Sequence, residues 1–139
     1  MFNLVSEVEI PGRQIGSQHP CFIIAEAGVN HNGDLALAKE LVDAARTAGA
    51  DAVKFQTWMT EELVAPSAAL AGYQRDNIGE EQTQFAMLKA LELAQDSFVE
   101  LEAYSRQQGI LFFSTPDEEK SASFLDRLDQ QPSCHHLDT

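Results

Sequence analysis

Three polar clusters in the sequence carry side chains that could bind an anion or move a proton, and each directly follows an apolar run. A carboxylate can accept a proton or orient a water molecule, and an ammonium group can hold a phosphate or a carboxylate. Hydroxyl and amide groups supply further hydrogen bonds. In chain order the clusters are Glu26 with Asn30 and His31, Lys54 with Gln56 and Thr57, and Ser114 with Thr115 and Asp117.

The apolar runs before these clusters have the length and composition of buried strands. They cover residues 21–25, 51–57 and 110–115. Between the first two runs, Asp34 suits the N-cap of a helix that ends at Gly49. A strand, a helix and a second strand in so short a stretch form a βαβ unit, which predicts parallel pairing and a right-handed crossover. The apolar face of the helix is expected to hold Leu37, Leu41, Val42, Ala45 and Ala48.

Two other segments depart from this pattern. Residues 4–16 carry alternating apolar positions around Pro11 and Gly12, which predicts a short β-hairpin. Residues 59–82 have no clear periodicity and predict a long irregular connection, of the kind that is usually functional or mobile.

The C-terminal half of the sequence predicts further helices and completes the fold class. Helical spacing resumes at Phe85, and Asp96 or Ser97 is expected to cap the following helix. The last helix is expected to start in the segment from Pro116 to Glu119. Parallel strands that are each followed by a helix suit a (β/α)₈ barrel or a doubly wound sheet. Since no Gly-x-Gly-x-x-Gly motif follows the first strand, a dinucleotide-binding Rossmann domain is disfavoured.

The three clusters are expected to meet at one edge of the sheet, because the carboxyl ends of parallel strands lie together. That edge is where α/β barrels and open sheets bind their substrates. Lys54 and Gln56 are two positions apart and share one face of their strand, while Val53 and Phe55 face the helices. Because both faces of a parallel sheet are normally covered, Lys54 is expected to be shielded from water and to need an anion. Glu26 is one candidate, and a ligand phosphate or carboxylate is another.

Each cluster also has an ordinary structural explanation. Glu26 and Lys54 could form a structural ion pair. Asn30 and His31 could be turn formers before a helix cap. The Ser-Thr-Pro-Asp sequence at 114–117 could be helix-capping chemistry. The convergence of three clusters on one edge favours a binding or catalytic site over coincidence.

Composition narrows the classes of function. Nine Lys and Arg against 22 Asp and Glu give a net charge of −13, which argues against general binding to nucleic acid or anionic membranes. Cys21 and Cys134 lie far apart, and we expect reduced thiols. The N-terminus lacks the basic region of a signal peptide, and no apolar run approaches the roughly 18 residues of a membrane span. A cytoplasmic location is expected.

Two longer segments carry a family resemblance. The sequence FIIAEAGVNHNGDLALAKELVDAARTAGADAVKFQT, followed by GILFFSTPDEE, closely resembles the N-terminal part of the N-acetylneuraminate (sialic acid) synthase family. The AE-x-G-x-NH-x-G and VKFQT signatures are specific in combination. The resemblance implies an α/β fold made of the first three βα units of a (β/α)₈ TIM barrel, preceded by the hairpin, as an incomplete barrel. Residues 1–128 would form this part of the barrel, and residues 129–139 an unmatched, irregular tail.

The resemblance also implies an activity. Family members are transferases that condense phosphoenolpyruvate with an N-acyl-hexosamine such as N-acetylmannosamine, or its 6-phosphate, to a nine-carbon 2-keto sugar acid. C3 of phosphoenolpyruvate attacks the sugar aldehyde, water adds at C2, and the tetrahedral intermediate expels phosphate. A divalent metal ion, Mn or Mg, polarises the aldehyde. Full-length members are homodimers that exchange an antifreeze-like domain, which is missing here and leaves a homodimer of this chain in question.

By resemblance, five positions would contact phosphoenolpyruvate or lie beside it. Lys54 is similar to the lysine that holds this ligand. Thr115, with Ser114 beside it, is similar to the hydroxyl that contacts it, and Gln56 is similar to a neighbouring polar wall. Glu26 is similar to the active-site carboxylate near the reacting carbons, where it could orient the attacking water or move a proton.

Other positions would surround the site. Asn30 and His31 are expected to shape its mouth. A loop at 73–84, which contains Tyr73, Asn77 and Gln84, occupies the place of the family's substrate loop.

The sequence also departs from the family pattern. The family's metal-binding histidines belong to later strands, so the metal ligands are expected to be absent from this chain, and a Cys-His-His tail at 134–136 is more typical of unstructured sequence. The chain alone is therefore expected to be inactive. The alternatives are a non-catalytic phosphoenolpyruvate-binding fragment, a remnant, or another phosphoenolpyruvate-dependent aldol-type synthase.

Overall fold

The computed structural model describes residues 7–10, 12–64 and 84–129 of the 139-residue chain. Tyr73, Asn77 and the tail from residue 130 onward lie outside the described residues. The elements are, in chain order, β1 (Glu7–Ile10), β2 (Arg13–Gly16), β3 (Ile24–Gly28), α1 (Leu35–Thr47), β4 (Ala52–Thr57), α2 (Thr60–Leu63), α3 (Gln84–Leu91), α4 (Gln95–Gln107), β5 (Leu111–Pro116) and α5 (Glu119–Asp129).

The strands form the two sheets that the sequence predicts. β1 and β2 pair antiparallel as a hairpin, and β3, β4 and β5 form a parallel sheet in that order. The α/β class, the hairpin and the parallel pairing are therefore confirmed. The first parallel strand lies three residues later than predicted, because its ladder with β4 starts where Ile24 pairs with Ala52. Glu26 consequently lies inside β3 and not beyond its end.

Helices cover one face of the parallel sheet and bury its apolar side chains. Val53 and Phe55 of β4 are fully buried, as predicted, and Phe55 stacks on Phe112 of β5 with ring centroids 5.8 Å apart. The helices contribute buried side chains to the same core, namely Ala38, Val42 and Ala45 from α1, Phe98 and Leu101 from α4, and Phe124 and Leu128 from α5. Burial of this apolar surface is the main stabilising term of the fold. Ala48, predicted to lie on the apolar face of α1, is exposed.

The ends of the helices only partly follow the sequence predictions. Asp34 is the N-cap of α1 and accepts hydrogen bonds from the backbone N–H groups of Ala36 and Leu37. The prediction that Asp96 or Ser97 caps α4 is wrong, because the N-cap is Ala94, two residues before Asp96, and it has no capping side chain. α2 is a short helix within the segment predicted to be irregular. None of the described helices is long and apolar enough to cross a membrane.

The opposite face of the sheet is partly open. Ile24 is 47% exposed there, and the side chain of Lys54 is 35% exposed. The prediction that Lys54 is shielded from water on both sides is therefore wrong for the described part of the chain, since only the helical layer covers its sheet. This open face carries the charged residues of the candidate site.

Asp51 joins the hairpin to the amino end of the parallel sheet. Its side chain pairs with Arg13 of β2 and accepts a 2.8 Å hydrogen bond from the backbone N–H of Ile23. Its backbone bonds both neighbours, donating to Ile23 O at 2.8 Å and accepting from Leu111 N–H at 3.2 Å. One residue thus aligns the starts of β3, β4 and β5.

We expect Asp51→Ala to lower the free energy of unfolding by about 1–3 kcal/mol, because it leaves the Ile23 N–H and the Arg13 guanidinium without their acceptor. Urea unfolding followed by circular dichroism measures this loss. Glu40→Ala, at an exposed position of α1, is the matched control and should change the free energy of unfolding by less than about 0.5 kcal/mol. Equal losses in the two variants would contradict the role of Asp51.

Candidate functional site

The register of the parallel sheet divides the predicted site residues between its two faces. Glu26 pairs with Lys54, and Gln56 pairs with Thr115. Directly paired residues point to the same side of a sheet, and residues two apart on one strand do so too. Glu26, Lys54, Gln56 and Thr115 therefore share the open face, opposite the helices.

Glu26 and Lys54 form an ion pair across neighbouring strands. The Nζ of Lys54 lies 2.6 Å from Oε2 of Glu26, and the side chains are 35% and 52% exposed. A pair with this exposure contributes little to stability, about 0–1 kcal/mol. Its charges therefore remain available to a ligand, and a bound anion could take the place of the carboxylate at Lys54 without a large loss of stability.

An irregularity in β3 accompanies Glu26. The register between β3 and β4 shifts between Glu26 and Gly28, and Gly28 has a φ of 55°, in the left-handed region. Such shifts re-aim side chains and are common beside active sites. A methyl group at position 28 would lie 3.6 Å from Oε1 of Glu26, so this backbone lies close to the carboxylate.

Ser114 lies on the opposite face from Thr115. It pairs with Phe55 in the β4–β5 ladder, and its Oγ is 2.5 Å from Oγ1 of Thr57, which is buried beneath the helices. The sequence analysis expected Ser114 to lie beside Lys54. The structure places these two residues on opposite faces of the sheet. The strict alternation of side chains along a strand could have separated Ser114 from Thr115 in the sequence.

Asn30 and His31 form a turn after β3, and neither makes a contact with Lys54 among the described residues. Asn30 is exposed, and its Nδ2 donates to Ala27 O at 3.0 Å. His31 is fully buried, with its ring centroid 6.0 Å from that of Phe55, on the helical side of the sheet. Its Nδ1 accepts the Gly33 N–H at 3.0 Å. The turn-forming alternative thus describes the contacts of both residues, and a place for His31 at the mouth of the site is not supported.

The fold disfavours the charged form of the buried His31 ring. Its Nδ1 is an acceptor, so the proton is assigned to Nε2, for which the described residues offer no hydrogen-bond partner. Burial lowers the pKa of His31 from its ordinary value of 6.5, because the charged ring would lose its hydration. His31 is therefore a titrating group whose charge the fold disfavours.

The turn after β4 is held by two carboxylates that the sequence analysis did not identify. The Thr60 N–H donates to Oε2 of Glu92 at 2.8 Å, and the Met59 N–H donates to Oε1 of Glu118 at 3.3 Å. Burial alone would raise the pKa of Glu92, but hydrogen bonds from Lys89 and Thr60 outweigh it and leave this pKa below its ordinary value. A carboxylate inside the apolar run at 91–93 was the only sequence signal for Glu92.

Asp117 also lies near the carboxyl end of the sheet. Its backbone N–H donates to Thr57 O at 3.0 Å, which continues the β4–β5 ladder by one bond. Burial, and then the charge of Glu118, raise the pKa of the Asp117 side chain. Asp117 therefore belongs to the connection between β5 and α5, where Glu118 accepts the N–H groups of Lys120 and Ser121.

The described residues near Lys54 form no metal site, and an apolar cavity elsewhere on the sheet does not include Lys54. Within residues 7–10, 12–64 and 84–129, no group of three or more His, Cys, Asp or Glu side chains could hold a metal ion. A cavity of about 660 Å³ lies along β5 between α4 and α5, and its lining includes Phe112, Leu125 and Leu128. Its lining is mainly apolar and lacks Glu26 and Lys54, so we place the candidate site at the charged face and not in this cavity.

These features define an α/β protein with a charged site on the open face of a parallel sheet, toward the carboxyl ends of its strands. The family comparison identifies the protein more closely: the model of the NeuB family matches residues 41–133. The chain belongs to the NeuB family, and the resemblance to sialic acid synthases found in the sequence is confirmed.

Individual relatives agree with this assignment. The chain is 54% identical over 110 residues to N,N'-diacetyllegionaminic acid synthase from Legionella pneumophila, a match that covers 79% of this chain and 31% of the relative. It is 39% identical over 124 residues to N-acetylneuraminate-9-phosphate synthase from Homo sapiens, covering 88% of this chain and 34% of the relative. The chain thus spans about a third of the length of these curated relatives.

Solved structures support the fold. The crystal structure of N-acetylneuraminic acid (sialic acid) synthetase from Leptospira borgpetersenii in complex with citrate matches with a TM-score of 0.68 and 34% identity, over 88% of this chain and 38% of that one. A spore coat polysaccharide biosynthesis protein E from Chromobacterium violaceum matches with a TM-score of 0.58 over 76% of this chain and 31% of that one. Its identity is 19%, so this second likeness supports the fold alone.

The lowered pKa of His31 predicts that the protein loses stability in mild acid. Near and below pH 6.5 the unfolded chain binds more protons at this residue than the folded chain does. The free energy of unfolding should therefore fall as the pH drops below 6.5 and level off below the folded pKa, with a slope of at most about 1.4 kcal/mol per pH unit.

Urea unfolding between pH 8 and pH 5 tests this prediction through His31→Asn, which keeps an acceptor for the Gly33 N–H but cannot titrate. We expect the variant to have a shallower pH dependence than the wild type. Parallel profiles for His31→Asn and the wild type would exclude His31 as the source.

Gly33 and Gly49 form a matched pair for testing the packing of the turn after β3. Both have φ in the left-handed region, at 74° and 81°. A methyl group at position 33 would lie 2.7 Å from Ala90 O, but one at position 49 would meet nothing within 4 Å. We expect alanine to cost about 1–2 kcal/mol at Gly49 and about 1–3 kcal/mol more at Gly33, because backbone must also move there. Equal losses in urea unfolding would show that α3 does not pack tightly on this turn.

Proposed function

We propose that this chain supplies the phosphoenolpyruvate-binding part of a sialic-acid-type synthase. The observation that carries the proposal is the half-exposed Glu26–Lys54 pair, with Nζ and Oε2 2.6 Å apart, on the same face as Gln56 and Thr115. These side chains stand in the AE-x-G-x-NH-x-G, VKFQT and STP segments that resemble the family. A charged and polar face of this kind suits a small, multiply charged anion.

In this proposal the described strands are the beginning of a (β/α)₈ barrel. The open face of the sheet would be the barrel interior. The apolar cavity along β5 would receive a further parallel strand. The likeness to the sialic acid synthetase fold and the threefold greater length of the relatives support this placement. Active sites of such barrels lie at the carboxyl ends of the strands, which is where Gln56 and Thr115 lie.

Lys54 would hold a phosphate or carboxylate oxygen of phosphoenolpyruvate, and Thr115 and Gln56 would donate further hydrogen bonds. A charge-assisted hydrogen bond is stronger than a neutral one, and Lys54 can offer up to three donors. The overall charge of −13 opposes the approach of an anion, so the local donors must supply the affinity. Ser114 remains a proposed ligand contact only through the family resemblance, since its hydroxyl bonds Thr57 on the other face.

Glu26 would act on the reacting carbons once phosphoenolpyruvate has displaced it from Lys54. A carboxylate in this place can accept a proton from a water that adds at C2, or orient that water. The acceptor would be an N-acyl-hexosamine such as N-acetylmannosamine, whose aldehyde carbon forms the new bond with C3. The intermediate would then lose phosphate and leave a nine-carbon 2-keto sugar acid.

The divalent metal ion of the family does not fit the described residues, because no suitable group of ligands exists among them. No step is therefore assigned to a metal on this chain. We propose that the chain alone does not catalyse the condensation, since the residues that would bind the sugar aldehyde and the metal belong to a longer protein. Any homodimer of the kind known in the family would also depend on that longer protein.

Isothermal titration with phosphoenolpyruvate tests the proposal. The 139-residue chain should bind this ligand, and Lys54→Ala should weaken binding by about tenfold or more, because a charge-assisted hydrogen bond is worth at least about 1.5 kcal/mol. Lys39→Ala is the matched control, since Lys39 lies on α1 and pairs with Glu100 away from the site, and it should leave the affinity unchanged.

Absence of binding by the wild-type chain would overturn the proposal, and equal affinity of Lys54→Ala would exclude the site at Lys54. In a second arm, the chain is incubated with phosphoenolpyruvate and either N-acetylmannosamine or arabinose 5-phosphate. We expect no phosphate release in either case. Release with arabinose 5-phosphate alone would instead favour another phosphoenolpyruvate-dependent aldol-type synthase.

A further inference from the structure

The short turn between β4 and α2 is fixed by contacts with elements distant in sequence. Thr60 is fully buried, its N–H donates to Oε2 of Glu92 at 2.8 Å, and its Oγ1 accepts the indole N–H of Trp58 at 3.1 Å. Trp58 is itself buried. The backbone from Trp58 to Thr60 is therefore held in one place by a carboxylate that lies 32 residues further along the chain.

Glu92 contacts a second turn at the same end of the sheet. A methyl group on Gly33 would lie 3.3 Å from the backbone O of Glu92 and 2.7 Å from Ala90 O, so the end of α3 packs directly on the turn after β3. One residue thus contacts both the turn that follows the Glu26 strand and the turn that follows the Lys54 strand. Glu92 thus links these two turns.

The charge on Glu92 is well compensated. Its side chain is 16% exposed, and Lys89 Nζ lies 2.8 Å from Oε1, while Oε2 receives the Thr60 N–H. Lys89 also pairs with the exposed Glu61 at 2.9 Å. A carboxylate that binds a backbone N–H forms a stronger hydrogen bond than a neutral acceptor does, and here it connects the residue that follows α3 to the first residue of α2.

The end of β4 transmits this constraint to the candidate site. Lys54 and Gln56 lie six and four residues before Thr60 in the chain. The residues that follow Gln56 are largely buried, namely Thr57, Trp58 and Thr60. A buried segment cannot shift without disturbing its packing, so a displacement of Thr60 must move the end of β4 with it. Small displacements of binding groups are costly for ligands that need several aligned donors.

We propose that Glu92 is a positioning residue, which holds the β4–α2 turn against the turn after β3 and thereby places Lys54 and Gln56 to bind phosphoenolpyruvate. This inference rests on the proposed function. Glu92 touches neither Lys54 nor the ligand in this arrangement, and it acts through the Thr60 N–H. The amide of a glutamine could accept the same N–H, whereas alanine and leucine could not.

Trp58 provides a direct readout, because it is the single tryptophan of the chain and lies in the turn that Glu92 holds. Glu92→Ala should shift the Trp58 emission maximum to longer wavelength and weaken phosphoenolpyruvate binding by about fivefold or more, as expected for loss of one aligned hydrogen bond. Glu92→Gln should keep the wild-type emission and an affinity within about twofold of the wild type. Glu61→Ala is the matched control, since it removes the other carboxylate that pairs with Lys89 and leaves the Glu92–Thr60 hydrogen bond in place, and it should behave like Glu92→Gln.

Glu92→Leu is the second variant, because it preserves side-chain volume but has no acceptor, and it should show the same losses as Glu92→Ala. Wild-type affinity in a folded Glu92→Ala or Glu92→Leu protein would overturn the inference while leaving the proposed function intact. If both variants fail to fold while Glu92→Gln folds, Glu92 serves folding alone and the inference is also overturned. A wild-type chain that does not bind phosphoenolpyruvate would overturn the proposed function together with this inference.

Discussion

The alternation of side chains along β4 is the constraint on which the rest of the structure depends. β4 is the central strand of the parallel sheet, with β3 on one side and β5 on the other. Val53, Phe55 and Thr57 point to the helices and are buried, while Lys54 and Gln56 point to the open face. A shift of one residue in its register would bury the ammonium group in the core and expose Phe55, and the cost of burying an unpaired charge excludes it. The alternation along β4 therefore directs core residues to one face of the sheet and Lys54 and Gln56 of the candidate site to the other.

Much of this arrangement could be predicted from the sequence. Short apolar runs, the Asp34 cap and glycine at the end of α1 are local signals, and they identified the parallel strands and the first helix. The shared face of Lys54 and Gln56 followed from their spacing alone. The same spacing rule applies to Ser114 and Thr115, which are adjacent in a strand and therefore point to opposite faces. The prediction placed both in one site because they are neighbours in the sequence, and for Ser114 it was wrong.

Other features depend on contacts that no local pattern encodes. His31 lies on the helical side because its Nδ1 accepts the Gly33 N–H and its ring packs near Phe55, and neither contact can be read from an Asn-His-Asn turn. Glu92 reaches Thr60 across 32 residues of sequence. The exposure of Lys54 also escaped prediction, since the general rule that parallel sheets are covered on both faces does not hold for the described part of this chain.

The position of the carboxylates explains how so acidic a chain could still bind an anion. In the turns at the carboxyl end of the sheet, Glu92 and Glu118 are both engaged by backbone N–H groups, and Glu92 also by Lys89. Their hydrogen bonds outweigh burial and keep the pKa of each below its ordinary value, so both stay ionised while their charges are locally compensated. Glu26 differs, since its ion-pair partner Lys54 is itself the cation that an anionic ligand would need. In the proposed function, exchange of one anion for another at Lys54 would change the local charge less than adding an anion to an unpaired site, and it would free Glu26 beside the ligand.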